Sequence, residues 1–263
     1  MFFTFKLKHI LIALGAVVLI VLALILLLGG RGNKAPAIAA TAAPIPSAGP
    51  RTTSAPERTP PRETGERLTA RPYTLVIDAG HGGEDGGSSS PTQHEADVNL
   101  DIALRMQALA GLYGVVPVMT RESADIAYPS DLKSVSARKV WDQKQRVALI
   151  NGTQNALLIS IHQNTFPSPI ERGAQVLYAK TGGSAELAAL LQEALRADLD
   201  PGNRRVAMPI SGTIYLMKSV NCPAVLVECG FLSNAGEDAK LADGNYRLKL
   251  AAVILNTYFQ YSG

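Results

Sequence analysis

Apolar residues run unbroken from Ile10 to Leu28 (ILIALGAVVLIVLALILLL), nineteen positions with neither a charge nor a polar side chain. At about 1.5 Å of rise per residue, a helix of this length spans a hydrocarbon core of about 30 Å. The pattern therefore predicts one transmembrane helix over 10–28 behind a short tail, residues 1–9. The run is longer than a signal-peptide core, which favours a retained anchor. The small-residue sites Ala35-Pro36-Ala37 and Ala37-Ile38-Ala39 carry the alternative of a cleaved signal. Lys6 and Lys8 on one side are nearly balanced by Arg31 and Lys34 on the other. With the N-terminal charges dominant, as is usual for a first helix, the rest of the chain is extracytoplasmic. The expected localisation is thus single-pass and membrane-anchored.

Beyond residue 72 the pattern changes. Tyr73 to Asp78 (YTLVID), Val115 to Thr120 (VVPVMT), Ala156 to Ile161 (ALLISI), Gln175 to Tyr178 (QVLY) and Ala224 to Glu228 (AVLVE) read as strands, several apolar on both faces. Helical spacing recurs over 96–111, 138–151, 184–198 and 245–259, as in Leu187, Leu190, Leu191 and Leu195. Strands alternating with helices predict an α/β domain, a single three-layer unit with a mostly parallel central sheet flanked by helices. Ligands in such sheets gather at the carboxyl ends of strands.

Composition separates these two parts. Between Asn33 and Pro72 the chain holds eight of its sixteen prolines and no aromatic residue. Such a segment buries too little apolar surface to offset its ordering entropy. Residues 29–72 are accordingly expected to be a disordered linker, leaving 73–263 as one folded catalytic domain. Residues 1–72 carry a formal charge of +6 and residues 73–263 one of −3. The basic balance belongs to the anchor and tether, and gives no support for nucleic-acid binding by the folded part.

The strand ends carry the chemistry. After the first strand comes Asp78-Ala79-Gly80-His81-Gly82-Gly83-Glu84-Asp85-Gly86-Gly87, whose glycines permit a sharp turn that exposes the imidazole of His81. The spacing does not match the dinucleotide fingerprint, because Asp85 stands where its third glycine belongs. The strand 156–161 runs into His162, so two of the three histidines of the folded part stand at ends of core strands. Two imidazoles in a cleft with a third oxygen or nitrogen ligand suit a zinc site with a position open to water. His94 and Glu95 are both candidates for that third ligand, and spacing does not choose between them. The last strand delivers Glu228 after an apolar run, where desolvation would raise its pKa toward that of a general base. A carboxylate paired with an arginine is the plain structural alternative. Asp78, Glu84 and Asp85 are placed to orient ligands from behind, or to be solvated loop charges.

Taken together, IDAGHGGEDGG, HEADVNLDIA, LLISIHQN and PAVLVECGFLSN closely resemble the zinc-dependent N-acetylmuramoyl-L-alanine amidases of bacterial cell walls, over about 73–263. The resemblance implies one Zn²⁺ per chain held by His81, Glu95 and His162, with Glu228 as the catalytic base. It selects Glu95 over His94. RKVWDQKQRVALIN and GTIYLMKSVNCPA narrow the resemblance to the sporulation-type amidases of spore-cortex maturation, where peptide stems are removed before a deacetylase closes muramic lactam. It implies peptidoglycan as substrate, an activating lipoprotein and that downstream deacetylase as partners, and attachment to the membrane through the N-terminal helix. Asn203-Arg204-Arg205-Val206 departs from the family's Asn-Arg-Gly-Val pattern. A division or lysis amidase of the same chemistry, or a non-catalytic peptidoglycan-binding module, are the competing expectations; the complete set of four residues argues against the second.

Cys222 and Cys229 flank the predicted last strand. With the residues between them extended, their Cα atoms lie roughly 20 Å apart, too far for a disulfide. Trp141 and the Arg204-Arg205 pair read as a helix-packing residue and a solvated turn ahead of substrate or partner contacts.

Overall fold

A computed structural model describes residues 72–263. The tail 1–9, the predicted transmembrane helix 10–28 and all of the predicted linker except Pro72 lie outside the described residues. Among those described, no helix is long and apolar enough to cross a membrane.

The strands are β1 (Thr74–Ala79), β2 (Val118–Met119), β3 (Ala156–Asn164), β4 (Gln175–Tyr178), β5 (Met208–Pro209) and β6 (Ala224–Phe231). The helices are α1 (Glu95–Leu112), α2 (Val135–Gly152), α3 (Ser184–Asp198), α4 (Tyr215–Ser219), α5 (Ala235–Ala242) and α6 (Gly244–Tyr261). One six-stranded sheet has the order β2-β1-β3-β6-β4-β5. Every neighbouring pair is parallel except β4 with β6. The sheet is therefore mixed, predominantly parallel as expected, with a single antiparallel pair.

Period-two alternation divides the strands between two cores. Leu75 and Ile77 of β1, Leu157, Ile159 and Ile161 of β3, and Val225 and Val227 of β6 face one side, packed with residues of α1, α3 and α6. Val76, Leu158 and Leu226 face the other, in a smaller core with Ile150 of α2 and with Leu216 and Met217 of α4. Toward the carboxyl ends this second face turns polar. Asp78, Ser160 and Glu228 each stand two residues beyond an apolar residue of that core, and His162 stands two beyond Ser160. Strand register then sets Asp78 beside Ser160, and His162 beside Glu228. The site is thus the place where the smaller core runs out.

The second strand is shorter than the pattern suggested. Val115 spends its N–H on Ala110 O in the last turn of α1, at 3.0 Å, and Pro117 has none to give. Of the short elements, β5, α4 and α5 were not expected from the pattern; at two, five and eight residues they are too brief to show a period.

Candidate metal centre and its cleft

Three segments that are distant in sequence converge at the carboxyl edge of β1 and β3. Gly80 N–H continues the β1–β3 ladder by donating to Ile161 O at 3.1 Å. The chain then turns at His81, which has φ of 61°. A Cβ on Gly80 would lie 2.3 Å from His162 Nε2, and one on Gly87 would lie 2.7 Å from Glu95 Oε2. Both positions therefore need glycine for the close approach of His162 and Glu95.

Two buried arginines hold this turn. Arg146 of α2 donates to Asp78 Oδ1 and Ala79 O at 2.7 Å and to His81 O at 2.6 Å. Arg121 donates to Ala79 O at 2.9 Å and to Gly80 O at 3.1 Å. They satisfy carbonyls that an irregular loop would otherwise leave unpaired. Asp78, fully buried, also accepts from Ser160 and Thr120. Burial alone would raise its pKa; the charge of Arg146 and the bond from Ser160 hold it below the usual carboxylate range.

His81, Glu95 and His162 present ligand atoms that lie within 4.8 Å of one another. Glu95 opens α1, whose N-cap residue is His94. Its Oε1 lies 2.9 Å from His162 Nδ1 and 3.3 Å from His81 Nε2. It also accepts Gln163 N–H at 3.1 Å, while Oε2 accepts Ser88 N–H at 2.8 Å. Burial works against this charge, but the two histidines outweigh it and hold the carboxyl far below its ordinary range. His81 Nδ1 donates to Asp85 Oδ2 at 3.0 Å, and Lys139 pairs with the same oxygen at 2.9 Å. Burial opposes protonation of His81, yet Asp85 and Glu95 prevail and raise it to about 9. A cluster that draws a proton this strongly demands positive charge. Two imidazoles and a carboxylate, with one imidazole oriented by a carboxylate behind it, are a donor set that fits zinc.

Glu228 lies across from His162 in register. Among the described residues, its Oε2 is enclosed without a hydrogen-bond partner. Burial pushes its pKa up to about 7, helped by the charge of Glu95 and opposed by His162 and His81. A cleft of about 610 Å³ is lined by these groups together with Lys139, Gln143 and Lys144 of α2 and with Thr213, Ile214 and Tyr215.

The remaining candidates fall elsewhere. His94 is outside the cluster, its Nδ1 2.9 Å from Ser89 Oγ. Glu84 pairs with Arg138 at the surface. Trp141 packs edge-on against Tyr128, with ring centroids 6.0 Å apart. Arg205 is tied to Glu171 and stacks over Phe231, and Arg204 is exposed. Both cysteines are free and buried, with Cys229 inside β6. Arg121, Arg146, Asn99 and Gln163 were not singled out in sequence; the one local hint was Asp142, four residues before Arg146, a spacing that pairs charges along a helix.

A family model for N-acetylmuramoyl-L-alanine amidase matches residues 75–257. The chain is 39% identical over 188 residues to the germination-specific N-acetylmuramoyl-L-alanine amidase of Bacillus subtilis, covering 71% of this chain and 78% of that one. The solved CwlD amidase of Clostridioides difficile, in complex with the GerS lipoprotein, superposes with a TM-score of 0.69 at 35% identity, covering 72% of this chain and 98% of that one. A second amidase from Clostridium difficile superposes with a TM-score of 0.62 at 28% identity, covering 72% and 96%. By sequence and by fold, this chain belongs to the N-acetylmuramoyl-L-alanine amidases, enzymes that act on bacterial peptidoglycan.

Proposed function

We propose that the chain is a zinc-dependent amidase that cleaves the bond between the lactyl carbonyl of N-acetylmuramic acid and the L-alanine of the stem peptide, in maturation of the spore cortex. His81, Glu95 and His162 hold the zinc. When bound there, the metal supplies Lewis-acid chemistry, polarising a carbonyl and acidifying water. Glu228 is the general base. It takes a proton as the water oxygen bonds to the carbonyl carbon, and returns it to the alanine nitrogen as the carbon–nitrogen bond breaks, leaving a free carboxylate and a free amine. Asp85 keeps the His81 ring in one orientation, and Arg146 and Arg121 keep the loop beneath it rigid.

The observation that carries this reading is the unpartnered Glu228 oxygen, raised in pKa, beside a His–Glu–His cluster in an open cleft. The cortex role is supported by likeness to the germination-specific enzyme of Bacillus subtilis. Because the Clostridioides difficile relative was solved with a lipoprotein, an activating lipoprotein is the partner proposed for this chain, with a deacetylase acting on its product. Residues 10–28 anchor it and place the catalytic domain outside the cytoplasm. The test is a digest of peptidoglycan by the purified full chain, with and without a candidate lipoprotein, read by mass spectrometry. Free stem peptides with peptide-free glycan are expected; intact stems under both conditions would refute amidase turnover.

A further inference from the structure

One fully buried polar side chain near the site has no part in the chemistry described so far. Asn99 lies one helical turn beyond Glu95 on α1, and none of its surface is exposed. Its Nδ2 donates to Gly80 O at 3.1 Å and lies 3.5 Å from Glu95 Oε1. Its Oδ1 accepts from Gln163 Nε2 at 3.1 Å. Gly80 immediately precedes His81, and Gln163 immediately follows His162. Asn99 therefore touches the Glu95 carboxylate and the residue adjoining each of the two histidines.

The orientation of its amide is dictated by these neighbours. Gly80 O and the ionised Glu95 only accept, and Gln163 Nε2 only donates, so a single placement of the Asn99 oxygen and nitrogen satisfies all three. The link is not needed to satisfy Gly80, whose carbonyl also accepts from Arg121. It is Glu95 and Gln163 that Asn99 ties together, and Gln163 in turn donates its backbone N–H to Glu95 Oε1 at 3.1 Å. The result is a closed triangle of Glu95, Asn99 and Gln163 that joins α1 to the end of β3.

We infer that Asn99 is a positioning residue that sets the spacing of the three metal-ligating segments, with Gln163 as its brace. This rests on the proposed zinc site. Partners behind metal ligands usually change affinity by about 10- to 100-fold when removed. An isosteric change separates positioning from mere filling of the core. In Asn99→Leu the branched shape is kept, with some added bulk, while the donor and acceptor go. In Asn99→Asp the shape stays while an acceptor is turned toward Glu95 and Gly80 O.

The experiment uses the full chain in detergent. Zinc affinity is measured by chelator competition, the visible spectrum of the cobalt-loaded form reports ligand geometry, and metal-free melting temperature reports the fold. Asn99→Asp and Asn99→Leu should each weaken zinc binding about 10- to 100-fold and alter the cobalt spectrum. Gln163→Leu should move both in the same direction by less, and it carries the test if the Asn99 variants do not fold. Gln192→Leu is the control. Gln192 is a buried amide bonded to Val176 N and Ala174 O, away from the site, so its loss should lower the melting temperature while leaving zinc affinity unchanged. Unchanged affinity and spectrum in folded Asn99 variants, or in Gln163→Leu where those do not fold, would overturn the inference, as would an equal loss in Gln192→Leu. A wild-type chain that binds no zinc would instead overturn the proposed metal site on which it rests.

Discussion

Two glutamates line the same cleft, and the groups around them pull in opposite directions. Glu95, at the start of α1, is met by Ser88 N–H, Gln163 N–H and two imidazoles, and is held strongly ionised. Glu228, in the middle of β6, is half-buried, with one oxygen enclosed and, among the described residues, unpartnered, and burial pushes it up to about 7. Burial, neighbouring charge and the supply of donors push identical side chains in opposite directions. A carboxylate surrounded by donors keeps its charge and suits a cation; one stripped of donors exchanges a proton easily near neutral pH.

The largest effect should come from the Glu95 side. Glu95→Ala or His81→Ala removes one of the three proposed ligands, so zinc content should fall toward zero and stem-peptide release should drop to background. Elemental analysis beside a release assay decides it. Full zinc content in Glu95→Ala with depletion in His94→Ala would reverse the choice of third ligand.

On the Glu228 side the metal should survive. Glu228→Gln preserves shape but accepts no proton, so it should keep its zinc while turnover falls about 10²- to 10⁴-fold. Near wild-type turnover would remove the base assignment. Zinc loss in parallel with activity would make Glu228 part of the metal site and dissolve the contrast between the two carboxylates.

The same substitution should leave a mark on stability. Glu228 has a folded-state pKa of about 7, above its ordinary value of 4.5. The protonated group is favoured in the fold, so its contribution is fully present below about pH 4.5 and is lost as pH rises through about 7. Glutamine suffers no such loss. Metal-free Glu228→Gln should therefore match wild type near pH 4 and exceed it above pH 7 by up to about 3 kcal/mol. Denaturant melts at the two pH values measure it; a variant less stable at pH 8 would show that the carboxylate has donors in solution.

The contrast also marks how far the chain could be read without coordinates. Strand ends and helix starts are local properties, so the apolar runs of β1, β3 and β6 and the period of α1 disclosed where His81, His162 and Glu228 would stand and put His94 and Glu95 together before a helix; only the family resemblance chose Glu95. The apolar run before Glu228 also hinted at its desolvation. What sequence could not disclose is who donates to whom. Arg146 reaches Asp78 from 68 residues away and Gln163 reaches Asn99 across 64, pairings set by the folded sheet. Asp78 could be read in sequence as an orienter of ligands or as a solvated loop charge; in the fold it is buried and accepts from Arg146 and Ser160. The absence of a donor at Glu228 Oε2 is likewise a property of three-dimensional surroundings.

A smaller effect should come from behind the ligands, and it tests whether the donor-rich side works as a unit. Asp85 accepts from His81 Nδ1, and Lys139 pairs with the same oxygen. Burial would raise the Asp85 pKa, but His81 and Lys139 hold it well below the usual range, so it is ionised at neutral pH. Its charge orients the ring and makes the opposite nitrogen a better donor to a cation. Asp85→Asn keeps an acceptor oxygen and loses the charge, and should weaken zinc binding about 10- to 100-fold without emptying the site at saturating metal. Glu84→Gln, one residue away on the same loop, is the matched control, because Glu84 is exposed and, among the described residues, pairs with Arg138. Chelator competition on the two variants makes the comparison. Equal zinc affinity in Asp85→Asn and wild type would mean that the ring of His81 is set by the backbone turn alone, and that the donors of Glu95 suffice to hold the metal side of the cleft.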